Sequence, residues 1–371
     1  MFALLQDPDG LRSAEAAALA SAGRGDPSQV ARWEEALRRD PGRLVFDPDG
    51  AARLVLLGQE LAAGRFETPT LAELRARLPG PVGQPAPARL AVLLGSGPLT
   101  DVGALQALAP PGTLFQVASQ FNCLESPGPY LVPVADYLRD PTQGPRASIS
   151  AFPGTLLRHY AAPGPDGARF VQTGARQLDL LGDALPAGVA RVRDGYLIDE
   201  NVRDPEGLVP ALEAGFERIR VGVHAGVQVV LGYDFAGRVE GAPRIAQVFT
   251  STWATSYSHR KSVRASAREA TCRLLLRAAY LGTLLAAAGL SQRAVVLTAI
   301  GGGVFKNPHP LIWEAILWAL DQVAPRLSAP LDVVFGPRTF GVPEGELLAG
   351  ARARGGFLLH LERGQTPRLE R

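Results

Sequence analysis

Two stretches of this 371-residue chain carry residue types that do chemistry, and they lie far apart in sequence. The first is Gln120-Phe121-Asn122-Cys123-Leu124-Glu125, at the end of the apolar run Leu114 to Ser119. The second is Gly301-Gly302-Gly303-Val304-Phe305-Lys306-Asn307-Pro308, at the end of the β-branched-rich run Ala294 to Ile300. Glycines between a buried strand and a helix N-terminus let backbone N–H groups approach a phosphate. No Cβ stands in the way, and the helix end favours negative charge. A tight strand-to-helix turn that binds nothing explains the same glycines equally well. In the first stretch, two amides and a carboxylate leave a strand end, the place where open α/β sheets bind ligands. The plainer reading is that Asn122 caps a turn and Glu125 is solvated.

The elements that must position these stretches follow from periodicity and breakers. A long helix over 266–288, with Leu274, Leu275, Ala278, Leu281, Leu285 and Ala288 on its apolar face and Gly289 as C-cap, precedes the strand at 294–300. A helix over 310–320 follows the glycines, with Ile312, Ile316 and Leu320 on one stripe, and Leu331 to Phe335 is a further buried strand. Upstream, Leu90 to Leu94 reads as a strand and Gly95 to Pro98 as a turn. Thr100 or Asp101 then caps a short helix to Leu108. Downstream of Glu125 the chain is loop-rich through Asp140-Pro141-Thr142-Gln143-Gly144-Pro145, and helices are expected at 146–150 and from 153. Arg158 and His159 in the latter read as solvated. Residues 161–218 look like an insertion, strand or hairpin structure fits 219–231, and a second strand fits 244–249. The second of these exits into a hydroxyl-rich segment from Thr250 to Ser258, where Ser251 and Thr252 suit phosphate or ribose oxygens.

Residues 1–80 read as helical, with helices to Arg39, near 51–63, and from Thr68 or Thr70 through Arg77. The Pro-rich stretch around 81–88 is the clearest linker, which divides the chain into an N-terminal helical region, a linker, and an α/β domain over 89–371.

Composition narrows the function classes. The formal net charge is +2 and no basic block stands out, so nucleic acid is not indicated as a partner. Lys261 and Lys306 are the only lysines, and Lys306 comes three residues after the last of the glycines. Two cysteines and five histidines without ligand spacing give no metal cluster, and no cofactor motif is present. A GxxxxGK[ST] loop, which an ATPase of that class needs, is missing. The N-terminus lacks the pattern of a secretory signal. The longest apolar run, Ala278 to Leu290, is shorter than the ~20 residues a spanning helix needs. No membrane role and a cytoplasmic location are the expectations.

The order strand, loop, helix, strand, glycine loop, helix, strand, from about Gly95 to Phe335, resembles a macro domain, the α/β/α module that binds ADP-ribose. The helix 266–288 with AVVLTAIGGGVFKNP is similar to that family's helix, strand and phosphate loop. VASQFNCLE resembles its strand and asparagine turn, and PLTDVGAL the stretch bearing an adenine-facing aspartate. RIAQVFTSTW resembles a further strand and loop. The family's first glycine-rich loop is represented only by DPTQGPRA, and the insertion and N-terminal helices lie outside a minimal module.

The resemblance implies a three-layer α/β/α fold on a mixed sheet. It implies an ADP-ribose site made of Asp101, Gln120, Asn122, Gln143, Gly144, Ser251, Thr252, Gly301, Gly302, Gly303, Val304, Phe305 and Asn307. Asn122 would position the distal ribose, and Glu125 would serve as acid/base for hydrolysis of an ADP-ribosyl linkage. The ligand is then ADP-ribose or an ADP-ribosylated substrate. A non-catalytic ADP-ribose reader, and a protein binding another nucleotide or phosphate, are the alternative readings.

Overall fold

The computed structural model describes residues 2–21, 25–81, 83–235, 237 and 239–371; Val82 of the expected linker lies outside them. The chain opens with α1 (Phe2–Leu5), α2 (Pro8–Ser21), α3 (Ser28–Arg39), β1 (Leu44–Phe46), β2 (Ala52–Leu56), β3 (Gln59–Glu67) and α4 (Leu71–Ala76). The leucine spacing predicts a helix near 51–63, and the structure has a hairpin there instead. Leu57 and Gly58 take φ of 51° and 76°, the left-handed pair of a two-residue hairpin turn. Leu54 is buried while Leu57 stands 92% exposed at the tip, so the leucines never formed one stripe. Thr70 caps α4 as expected, its hydroxyl accepting from Glu73 N–H while the Glu73 carboxylate accepts from Thr70 N–H.

After the Pro-rich segment come β4 (Ala88–Gly95), α5 (Val102–Ala107), β5 (Thr113–Ala118), α6 (Gln143–Ser150) and α7 (Phe152–Tyr160). The small hairpin β6 (Ala162–Pro163) and β7 (Arg169–Phe170) and helix α8 (Leu208–Gly215) belong to the segment expected as an insertion. They are followed by β8 (Gly222–Gln228), β9 (Arg244–Thr250), α9 (Ala265–Gly289), β10 (Ala294–Leu297) and α10 (His309–Val323). The chain ends with β11 (Leu331–Phe335), α11 (Glu344–Arg352), β12 (Leu358–Leu361) and β13 (Arg368–Glu370).

The 11-stranded sheet has the order β1-β2-β3-β8-β9-β5-β10-β11-β4-β12-β13. From β9 to β12 every pairing is parallel, and the pairings on both flanks are antiparallel. The mixed sheet lies between two helical layers. Gln116 on β5 donates to Ala279 O and Thr283 Oγ1 of α9, whereas Gln247 on β9 donates to Ala147 O of α6. Gln116 pairs with Val248, so these two glutamines point to opposite faces. Helices α4, α8 and α10 pack on α9, and α5 and α7 pack beside α6.

Two consequences bear on the site. Parallel strands β5, β10 and β11 are neighbours, so the chain leaves all three on the same edge of the sheet. The loops after Ala118, Leu297 and Phe335 therefore meet, the geometry in which α/β sheets form ligand clefts. The N-terminal residues also belong to this sheet: β3 pairs with β8 through Arg65 to Glu67, across the expected linker boundary. Helix α9 is long and apolar enough to cross a membrane by length and composition alone. Here Tyr280, Leu281, Leu284 and Leu285 are all fully buried in the core.

Candidate functional site

The loops after β5, β10 and β11, together with the N-terminus of α6, enclose a cavity of about 430 Å³, within the range of ligand pockets. One wall is the turn after β5. Gln120 sits at its start, and its side chain bonds the far end of it. Its Oε1 accepts from Ser126 N–H at 3.2 Å, and its Nε2 donates to Ser126 O and to the Tyr196 hydroxyl. Cys123 takes φ of 62° to let the chain reverse, and Glu125 is delivered to the wall only 6% exposed. Burial pushes the Glu125 carboxyl well above the usual carboxylate range, against the opposing charge of Arg158. Its Oε1 receives a long hydrogen bond from Ser148 Oγ at 3.4 Å. Gly144 in the first turn of α6 passes so close that a Cβ there would lie 2.6 Å from Glu125 Oε2 and 2.2 Å from Ala118 O. That glycine is what lets α6 reach the carboxylate.

The opposite wall is backbone. Gly301 has φ of 69°, and a Cβ on it would meet Asn307 Nδ2 and Thr252 Cγ2 at 2.4 Å. The turn is closed by Gly302 N–H to Ala299 O, Asn307 N–H to Gly301 O and Lys306 N–H to Gly303 O. The N–H groups of Gly303, Val304 and Phe305 donate to no acceptor among the described residues. A Cβ at Gly303 would meet nothing within 4 Å, so this part of the loop opens outward. His309, at the start of α10, ties the loop to its neighbour: Nε2 lies 3.0 Å from Gly302 O, and Nδ1 accepts from Gly341 N–H at 2.6 Å. Arg338, on the loop after β11, is the one arginine or lysine among the described residues lining the cavity, and Lys306 is not in the wall.

The residues expected to form the site divide into two groups. Gln120, Glu125, Gln143, Gly144, Gly301, Gly302, Gly303, Val304 and Phe305 line the cavity together. Asn122, Asp101, Ser251, Thr252 and Asn307 are all buried behind its wall. Asn122 is fully buried; its Oδ1 accepts from Leu124 N–H and its Nδ2 donates to Gln177 Oε1 at 2.8 Å, so the segment after β7 covers it. Asp101 caps α5 at Ala104 N–H and pairs with Arg146, with Arg338 at 3.5 Å, which leaves it no face toward a ligand. Asn307 Nδ2 donates to Trp253 O at 2.9 Å and Gly301 O at 3.3 Å, and Thr252 Oγ1 lies 3.4 Å from Asn307 Oδ1. These two brace the glycine loop from behind, and Ser251 is buried beside Thr252. Arg158 and His159, expected in solvent, are 0% and 6% exposed.

Sequence reading did not single out Ser126, Asp140, Tyr196, Thr298, His309, Arg338 or Thr339, all of which line the cavity, and it reached Tyr257 only as a member of the hydroxyl-rich Thr250 to Ser258 segment. Arg338 and Thr339 carried a usable signal, since they lie just past the end of a buried parallel strand. Tyr196 carried none. It comes from the segment between α7 and β8, and its ring joins Tyr257 at 5.0 Å and Phe305 at 5.8 Å in an aromatic wall. Away from the cavity, Glu344, His360 and Glu370 bring ligand-type atoms within 4.8 Å of one another. Arg368 Nη2 already reaches His360 Nε2 at 3.0 Å and Glu370 at 3.3 Å, so a cation of the protein's own occupies that cluster.

No family model matches the chain, and no curated protein sequence does either. Among solved structures, the chain is similar to a poly(ADP-ribose) glycohydrolase from Thermomonospora curvata. The identity is 17%, 88% of this chain and 98% of that one are covered, and the TM-score is 0.43. The same enzyme bound to the inhibitor ADP-HPD gives 16% identity over the same shares, with a TM-score of 0.44. The Deinococcus radiodurans poly(ADP-ribose) glycohydrolase in complex with ADP-ribose gives 14% identity, 78% and 93% coverage, and a TM-score of 0.37.

Proposed function

We propose that this protein binds ADP-ribose or an ADP-ribosyl group and hydrolyses an ADP-ribosyl linkage. The observation that carries the reading is the pairing of two unlike walls across one cavity. On one side are the unpaired N–H groups of Gly303 to Phe305, and on the other is the buried carboxyl of Glu125. A diphosphate is matched by N–H groups that no acceptor among the described residues uses, at a loop whose glycines carry no side chain. Arg338 adds a positive charge to the same lining. The aromatic wall of Tyr196, Tyr257 and Phe305 offers flat apolar surface beside the carboxyl.

A carboxyl whose hold on its proton is strengthened by burial suits a general acid. Glu125 gives its proton to the oxygen leaving the anomeric carbon of the distal ribose, and the C–O bond breaks. The carboxylate left behind takes a proton from the water whose oxygen adds to that carbon, which restores the resting state.

Calorimetry with ADP-ribose, ADP and ATP tests the binding half. Selective binding of ADP-ribose is expected, and equal or absent binding of the three overturns it. Release of ADP-ribose from ADP-ribosylated substrates, with the parent and with Glu125→Gln, tests the chemistry. A parent that binds ADP-ribose but releases none is a reader and not a hydrolase.

A further inference from the structure

Arg158 on α7 is completely buried and has no carboxylate within salt-bridge distance among the described residues. A guanidinium taken out of water without an ionic partner is costly and calls for an explanation. Its donors are spent on neutral groups. Nε donates to Cys123 O at 3.1 Å, Nη1 reaches His224 Nδ1 at 3.1 Å, and Nη2 donates to Thr155 Oγ1 at 3.0 Å. Its plane covers Phe249 at 3.6 Å. His224 is held neutral by burial and by this positive charge, which fits its Nδ1 as an acceptor, with Nε2 donating to Ala63 O. Neutral donors would satisfy the same acceptors. What they would lack is the charge.

Two links connect that charge to the cavity wall. The Cys123 carbonyl belongs to the turn that carries Glu125, at the residue with positive φ, so Arg158 fixes the turn from behind. Arg158 Nη2 also lies 3.4 Å from Ser148 Oγ, and the same hydroxyl lies 3.4 Å from Glu125 Oε1. Ser148 accepts from one and donates to the other. The remaining ionisable groups acting on Glu125 are Cys123 on its own turn, Tyr137 and Asp140 on the segment before α6, and Tyr196. Burial pushes the Cys123 thiol and the Tyr137 and Tyr196 hydroxyls up, and Arg158 is the one cationic side chain in this set.

We propose that Arg158, acting through the Ser148 hydroxyl and the Cys123 carbonyl, is a positioning residue that lets Glu125 cycle between carboxyl and carboxylate within its buried wall. This rests on Glu125 being the acid of the proposed hydrolysis, and it assigns the counter-charge that the reaction needs once the proton has left. Without it, a carboxylate formed at this buried site would have no cationic side chain among the described groups that act on it.

The test is a carbon-13 NMR titration of glutamate-labelled full-length protein, with the Glu125 carboxyl assigned by its loss in Glu125→Gln. Arg158→Met, Arg158→Lys and Ser148→Ala are titrated alongside the parent. In Arg158→Met the Glu125 midpoint is expected to move up by roughly one pH unit. Ser148→Ala should move it the same way by less, and Arg158→Lys should restore most of the parent value. The pH profile of ADP-ribose release should shift with the midpoint. If Arg158→Met does not fold, Ser148→Ala decides through its own upward shift. Midpoints unchanged in every folded variant overturn the proposal. A parent that releases no ADP-ribose overturns the hydrolase reading instead, and the titration still reports on the Arg158–Glu125 coupling.

Discussion

The two walls of the cavity are built on different principles. The turn from Gln120 to Ser126 is buried and made of side chains: an amide that bonds the far end of the turn, a carboxyl, and an arginine behind them. The loop from Gly301 to Phe305 works through its main chain, with half-exposed Val304 at its crest and braces from Asn307, Thr252 and His309 behind. One wall places an ionisable group where burial alters its chemistry. The other, through its glycines, leaves main-chain N–H groups without an acceptor among the described residues. Mutations should therefore separate the two, with chemistry lost on the first and affinity lost on the second.

The sharpest separation comes from Glu125→Gln. It should lower ADP-ribose release about 10²–10⁴-fold and leave ADP-ribose affinity within a few-fold, read by single-turnover assay and calorimetry. A parallel loss of affinity would merge the two walls. Gly301→Ala should do the reverse. At φ of 69°, with Cβ contacts at 2.4 Å to Asn307 and Thr252, the change costs about 1–3 kcal/mol in stability. It should also weaken ADP-ribose binding more than tenfold, checked by thermal melts and calorimetry.

A smaller effect is expected from Arg338→Gln, roughly tenfold in affinity for ADP-ribose and ADP. Adenosine should bind as before, and the salt dependence of ADP-ribose binding should flatten. The smallest concerns pH and stability. The folded state holds the Glu125 proton more tightly than the unfolded chain does, so this group's stabilising contribution is complete below the unfolded value of 4.5 and is lost as pH rises through its raised folded value. Glu125→Gln should melt like the parent at low pH and above it at alkaline pH. A constant difference across the pH range would show that Glu125 is not buried as described.

The same contrast explains what could be read in advance. Gly301 to Gly303 and Glu125 were legible because strand-end loops and glycine runs are local features. Asn122 was legible as a polar turn residue, but not which way it points. That depends on Gln177 and Gly195, more than 50 residues away along the chain. Arg158 reads as solvated because charged residues usually are. Only the packing of α7 against β3 and β8 buries it.

A larger coupling of this kind involves Glu34 on α3. Its carboxylate accepts from Val134 N–H at 2.7 Å, Ala135 N–H at 2.8 Å and the Tyr160 hydroxyl at 2.6 Å. The N-terminal helices thus cap the segment that leads to Asp140 and the cavity rim. Nothing in the local sequence of α3 foretells that contact.

By itself, then, the sequence determined the α/β alternation, the buried parallel strands, the long apolar helix, and the two loops that carry the polar and glycine residues. Each of these depends on neighbours a few positions apart, through periodicity and backbone freedom. The tertiary structure alone decided that 52–67 is a hairpin completing the sheet, that Asn122 and Asp101 are spent on internal bonds, that Tyr196 and Arg338 line one cavity with Glu125, and that Arg158 lies behind the Glu125 turn. Those outcomes depend on strand order and burial, which arise from contacts between segments that the linear pattern leaves independent.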